Sequence, residues 1–152
     1  MRIVSLVPSL TLTLFDLGLD ATSIVGRTPW CIHPAEQVSD VPVVGGTKTP
    51  TLSKIKGAQP DLVVMDRDEN PKSVHDWCVA NGLPTFVCDV RHPRDVPLML
   101  RELGQAVNRS EAAEVHARAI EAMLRRAPDT NGRTALPLIW HCLLYTSPSP
   151  RD

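Results

Sequence analysis

Four short apolar runs, separated by stretches that read as helix, constrain this chain more than anything else in it. Residues 2–7, 23–25, 62–65 and 85–88 are continuously apolar rather than alternating. A strand with one face in water alternates, whereas a strand apolar at successive positions has to be covered on both faces. Strands of that kind belong to a parallel sheet with helices on either side. The intervening segments supply the helices. The first is expected to follow residue 8, with Ser9 as N-cap, its hydroxyl taking a free backbone N–H of the first turn. A second covers residues 52–58 after Thr51. A third has Asn70 as cap and Pro71 at its first position, and stops before Gly82. A fourth covers residues 96–107. Ser110 then opens a long helix to Arg126, with Glu111 and Glu114 toward its positive end and Arg125 and Arg126 toward its negative end. Ala113, Ala117, Ile120 and Leu124 form one stripe on it at helical spacing. The expected fold is therefore α/β, a Rossmann-like lobe with a parallel sheet.

In such sheets ligands sit beyond the carboxyl ends of the strands. The loops that would carry function are residues 8–11, 27–34, 45–50, 66–70 and 89–94.

Bulk properties fit one soluble globular lobe. The 152 residues are 43% hydrophobic and 22% charged, enough for a single core. A net charge of −1 without any basic stripe gives no electrostatic footing for nucleic acid or an anionic membrane surface. No apolar stretch approaches the roughly 20 residues of a membrane span. Met1 and Arg2 run directly into the first strand, so the expectation is either a true start further upstream or a leaderless protein. Cys31, Cys78 and Cys88, with Cys142 in the tail, form no disulfide framework.

Several chemistries can be dismissed on spacing. Gly45-Gly-Thr-Lys-Thr49 resembles the end of a phosphate loop, but Thr47 precedes Lys48 and Pro42 stands where the upstream Gly is required. Cys31 and His33, or His75 and Cys78, are pairs without the four convergent ligands of a zinc site, and no metal site is expected. Cys78 reads as a small buried thiol. No hydrolytic motif occurs, and no catalytic residue is expected. Asp66, Asp68 and Glu69 cluster at a strand end, where helix-start charge and loop hydrogen bonding are their simplest roles.

Five pieces occur in a fixed order: the strand ending in Pro8-Ser9, the helix running to Leu19, Gly26-Arg-Thr-Pro-Trp-Cys-Ile-His-Pro34, Val43-Val-Gly-Gly-Thr-Lys-Thr-Pro50 and Pro60-Asp-Leu-Val-Val-Met-Asp-Arg-Asp-Glu-Asn70. Together they resemble the helical-backbone (class III) substrate-binding proteins of ABC importers, of the vitamin B12 or corrinoid-binding type. The resemblance implies a protein that binds rather than transforms a small metal-chelate ligand, cobalamin or a ferric siderophore, without a cofactor of its own. It implies a monomer that delivers to an ABC permease and its ATPase, in the periplasm or envelope, or in the cytoplasm if the leaderless start is genuine. It places ligand-facing groups at Pro8, Ser9, Trp30, Cys31, His33, Thr47, Lys48, Asp66, Arg67 and Asn70. Leu12 stands where many relatives carry Glu. The rival readings are a small α/β enzyme working with the loop carboxylates and His33 or His92, and a leaderless cytoplasmic corrinoid-handling protein.

The same resemblance divides the chain. Residues 1–109 form the ligand-binding lobe, 110–127 the backbone helix, and 128–141 the start of a truncated second lobe, with a loop at 128–132 and a strand at 133–140. Residues 142–152, Cys142-Leu-Leu-Tyr-Thr-Ser-Pro-Ser-Pro-Arg-Asp152, break the pattern and read as a translated sequencing-adapter tail, the alternative being a natural Ser/Pro-rich terminus.

Overall fold

The computed structural model describes residues 1–126. Four strands, β1 (Ile3–Ser5), β2 (Ile24–Gly26), β3 (Leu62–Asp66) and β4 (Thr85–Cys88), lie in one sheet of order β2-β1-β3-β4. Every pairing is parallel. Six helices join and cover them: α1 (Pro8–Asp16), α2 (Ala35–Val38), α3 (Leu52–Gly57), α4 (Lys72–Ala80), α5 (Val96–Ala106) and α6 (Ser110–Arg126). A short 3-10 turn, Pro93–Asp95, leads into α5.

The continuous apolar runs are explained by the two cores. Ile3, Leu62 and Val64 point to one side, into a cluster with Leu10 and Leu14 of α1, Leu103 of α5 and Ala113 of α6. Val4, Val63 and Met65 point to the other, into a cluster with Ile55 of α3 and Val74 and Cys78 of α4. Successive side chains thus enter opposite cores, and both faces have to be apolar. Cys78 is fully buried there.

Two helix starts differ from the sequence expectation. Val7, not Ser9, is the N-cap of α1, because Pro8 occupies the first turn with its fixed φ and no N–H to satisfy. Ser9 is already inside the helix and exposed. The cap of α4 is Pro71 rather than Asn70, whose amide is drawn into buried contacts elsewhere. The four-residue α2 has no counterpart in the sequence reading.

The long helix is continuous through Ala117. It packs on α5, and Gly104 sets how closely: a Cβ there would sit 2.2 Å from Cβ of Ala113. Of the stripe, Ala113 and Ala117 are fully buried, while Ile120 and Leu124 are half-buried. The expected loop at 128–132, strand at 133–140 and tail at 142–152 lie outside the described residues.

Candidate functional site

The parallel topology brings four loops to one edge of the sheet. The chain runs from β1 outward to β2 on one side and then to β3 and β4 on the other. The strand order therefore reverses between β1 and β3, the position at which open α/β sheets leave a crevice.

On the β2 side, the loop after Gly26 is held by its middle. Cys31 is 1% exposed, whereas its neighbours Trp30 and Ile32 are 66% and 59% exposed. The Cys31 thiol lies 3.0 Å from the Thr11 hydroxyl of α1 and 3.1 Å from that of Thr28. Thr11 in turn reaches Ser5 Oγ at 2.8 Å and the Val7 carbonyl at 2.9 Å. Ser5, Thr11 and Thr28 are all completely buried. This polar seam ties β1, α1 and the loop together. It corrects the expectation for Cys31, whose side chain is turned into the core and presents nothing to the edge. His33 is exposed beside Ile32, and Pro8 and Ser9 lie at the half-buried and exposed start of α1.

The next loop follows from the first. Arg27 bridges to Val43 in parallel fashion, with Val44 N–H donating to the Arg27 carbonyl at 2.9 Å. Gly45 then turns at φ +115°, where a Cβ would lie 2.5 Å from the Thr51 backbone nitrogen. The turn is closed by Gly46 N–H to Thr49 O and by Thr51 N–H to Val44 O. Thr47 is 9% exposed, so its side chain is largely withdrawn from the edge. Lys48 reaches across to the Asp68 carbonyl at 2.6 Å.

At the end of β3, Asp66 accepts from the Asp68 and Glu69 backbone N–H groups at 2.9 and 3.1 Å, a local turn rather than an acid–base pair. Asn70, 6% exposed, is inside the protein. Its amide nitrogen donates to the carbonyls of Leu6 at 3.3 Å and Thr47 at 2.9 Å, and its amide oxygen accepts from Asp66 N–H at 2.9 Å. Every polar atom of the side chain already has a protein partner, although the residue still lines the groove described below.

Beyond it lies a charge cluster that spacing alone did not single out. Arg67 pairs with Asp89 at 2.5 Å, and Arg91 contacts both Asp89 and Asp68. The Arg67 and then the Arg91 hydrogen bonds hold the Asp89 carboxyl below its ordinary range. Asp89 and Arg91 sit in the loop after β4, and the register pairing Asp66 with Cys88 is what delivers them to Arg67. Cys88 is buried there and its thiol is pushed up to about 11, mainly by burial; it stays protonated at neutral pH and offers no thiolate. His92 is committed as a cap, its Nδ1 accepting from Arg94 N–H while Asp95 accepts from His92 N–H. The His92-x-x-Asp95 spacing is a readable capping signal.

An open groove of about 580 Å³ runs from Asp66 and Arg67 past Lys72 and His75 of α4, floored by Met65 and Val87. Among the described residues no group of three or more His, Cys, Asp or Glu could hold a metal ion. Of the ten expected residues, Trp30, His33, Lys48, Arg67 and the start of α1 thus remain accessible, on loops cross-linked to one another, Asp66 is half-buried in its own turn, and Cys31, Thr47 and Asn70 are buried beneath them.

Comparison with known proteins gives this edge a context. The family described as periplasmic binding protein matches residues 3–141. The vitamin B12-binding protein of Pectobacterium carotovorum subsp. carotovorum (strain PC1) is 25% identical over 138 residues, 90% of this chain and 49% of that protein. Among solved structures, the periplasmic heme-binding protein RhuT from Roseiflexus sp. RS-1 aligns with a TM-score of 0.73 at 26% identity, covering 90% of this chain and 52% of that one. The periplasmic vitamin B12 binding protein BtuF of Vibrio cholerae aligns with the same TM-score, 0.73, at 19% identity, covering 82% and 48%. The chain spans about half the length of these relatives.

Proposed function

The chain belongs to the periplasmic binding protein family, and we propose that it is the N-terminal ligand-binding lobe of an ABC importer's substrate-binding protein, taking a corrinoid, heme or similar metal chelate. The similar proteins are binding proteins, not enzymes. The observation that carries the ligand class is Trp30: an indole 66% exposed, next to Ile32 at 59%, at the edge where α/β folds bind ligands. Large apolar groups left in solvent by a well-packed loop mark a surface that acquires a partner. A flat macrocycle with polar substituents suits an indole together with imidazole, ammonium and guanidinium groups on the other loops of the same edge, here His33, Lys48 and Arg67. In this reading the ligand itself carries the metal, and the lobe provides apolar area and charge without ligating groups in threes.

Because the matched relatives are about twice as long, this lobe is one wall of the binding cleft, with α6 as the rigid helix leading to the other. The monomeric protein would pass its ligand to a membrane permease driven by a separate ATPase, and genes for both beside this one would support that role. Isothermal titration with cyanocobalamin, haemin and a ferric siderophore tests the proposal. The 152-residue chain should bind weakly or not at all, and the chain extended to its relatives' length should bind one of the three. Micromolar or tighter binding by the 152-residue chain would overturn the one-wall reading; no binding to any of them by the extended chain would overturn the ligand class.

A further inference from the structure

We propose that Asn70 is a positioning residue that sets the mutual arrangement of three ligand-facing loops, and that ligand affinity depends on it although its polar atoms are all committed to the protein. The inference rests on the ligand-edge reading above. Its own basis is the completeness of the amide's bonding. A primary amide has two N–H donors and one carbonyl acceptor. Here one donor faces the Leu6 carbonyl just past β1, the other faces the Thr47 carbonyl of the 45–50 turn, and the acceptor takes Asp66 N–H at the end of β3. Those partners lie 64, 23 and 4 positions away in sequence. Leu6 and Asp66 flank the reversal of strand order, and Thr47 adjoins Lys48.

No other residue type reproduces this pattern. Asp is isosteric and still accepts from Asp66 N–H, but as a carboxylate it has no proton for Leu6 or Thr47. The oxygen standing where the amide nitrogen was would instead face both carbonyls. Asn70→Asp therefore cuts two of the three links selectively. The 45–50 turn would keep its internal bonds, Gly46 N–H to Thr49 O and Thr51 N–H to Val44 O, its flanking tethers through Val44 N–H to Arg27 O and through Thr51 O to α3, and the Lys48 reach to Asp68 O, but nothing would hold Thr47 itself. Lys48 is exposed and its contact is a single one, so it cannot hold the turn in register alone.

The test compares the wild-type and Asn70→Asp forms of the chain extended to the relatives' length, by amide hydrogen exchange and by titration with haemin and cyanocobalamin. Exchange at Gly46 and Thr51 should rise at least ten-fold, while the β3 amides Val63 and Val64 and the turn amides Asp68 and Glu69 keep their wild-type rates. Affinity for whichever probe the wild type binds should fall about ten-fold or more. A uniform rise in exchange across β3 would show ordinary destabilisation and overturn the inference, as would a loosened turn with undiminished affinity. If the wild type binds neither probe, the corrinoid and heme part of the ligand reading fails, and the clamp is still judged by exchange alone: unchanged protection at Gly46 and Thr51 overturns it. Should Asn70→Asp not fold, Asn70→Ser, whose one hydroxyl proton can serve a single carbonyl, reads the same amides with a smaller expected change.

Discussion

Trp30 and Cys31 are adjacent, and the backbone turns one out of the protein and the other in. An aromatic side chain left outside a packed loop has little role in stability, so the two residues should separate cleanly on mutation. Trp30→Ala should leave the urea midpoint nearly unchanged and weaken ligand binding by the extended chain by about 1–3 kcal/mol, the scale for an anchoring aromatic. Unchanged affinity with a lowered midpoint would make Trp30 a packing residue instead. Cys31→Ala should do the opposite. It strands the buried Thr28 hydroxyl, whose named side-chain partner is that thiol, at a cost of about 1–3 kcal/mol. Cys31→Ser, which keeps a partner for Thr11 and Thr28, should recover part of the loss. Equal losses from the two variants would mean that volume, and not the hydrogen bond, holds the loop. From the sequence, Trp30 and Cys31 both stand as contact residues, Trp30 the better aromatic candidate. Their opposite directions follow from the pairing of Cys31 with Thr11, 20 positions away, which no local pattern announces.

At the scale of elements, the α5–α6 pair depends on a contact that sequence propensity misjudges. A helical Gly replaced by Ala ordinarily stabilises by roughly 1 kcal/mol. At Gly104 the new methyl would meet Ala113 Cβ at 2.2 Å and the Arg109 carbonyl at 3.1 Å. Gly104→Ala should therefore lower the melting temperature, with an overpacking cost of about 1–3 kcal/mol; a raised melting temperature would refute the close approach. The same helices share a network in which Arg101 contacts Glu114 at 2.6 Å and Glu121 at 2.7 Å, and Arg118 adds a second contact to Glu114. Arg101 first, then Arg118, bring the Glu114 carboxyl down from 4.5 to about 2. A depressed carboxyl pKa stabilises the fold above the unfolded value and loses that contribution as pH falls through the folded one. The helix pair should thus loosen between about pH 4.5 and pH 2. Arg101→Gln should flatten this part of the melting-temperature profile relative to wild type, and an unaltered profile would remove the network from the explanation. The acidic start and basic end of α6 were visible in sequence; the reach from Arg101 of α5 was not.

For the whole molecule, the sheet order predicts an order of opening. β1 and β3 are central and flanked on both sides, while β2 and β4 lie at the edges of the described sheet. Amides of Val4, Val63 and Val64, on residues with no exposed surface, should exchange last, and those of β2 and β4 earlier. Faster exchange in β3 than in β4 would contradict the topology.

The sequence alone determined the class of fold and nearly all its elements, because a strand covered on both faces has to be apolar throughout and a helix needs its own periodicity, caps and breakers. Residues 85–88 and the helix start at Ser110 can be bounded from those local rules without error; most other bounds shift by a residue or two, and α1 ends at Asp16 rather than at Leu19. It also determined that the loops directly after the strands gather at the carboxyl edge, as parallel connectivity requires, while the 45–50 turn is held there by the Arg27–Val43 bridge and the Asn70 amide. What only the tertiary structure decided is which side chains on those loops face outward. Asn70 reads as a helix cap or a ligand contact until Leu6 and Thr47 close on its amide, and Asp89 reads as a loop charge until the β3–β4 register sets it against Arg67. Both outcomes depend on hydrogen-bond partners from other strands or loops, more than 20 positions away, and such partners leave no trace in the local pattern.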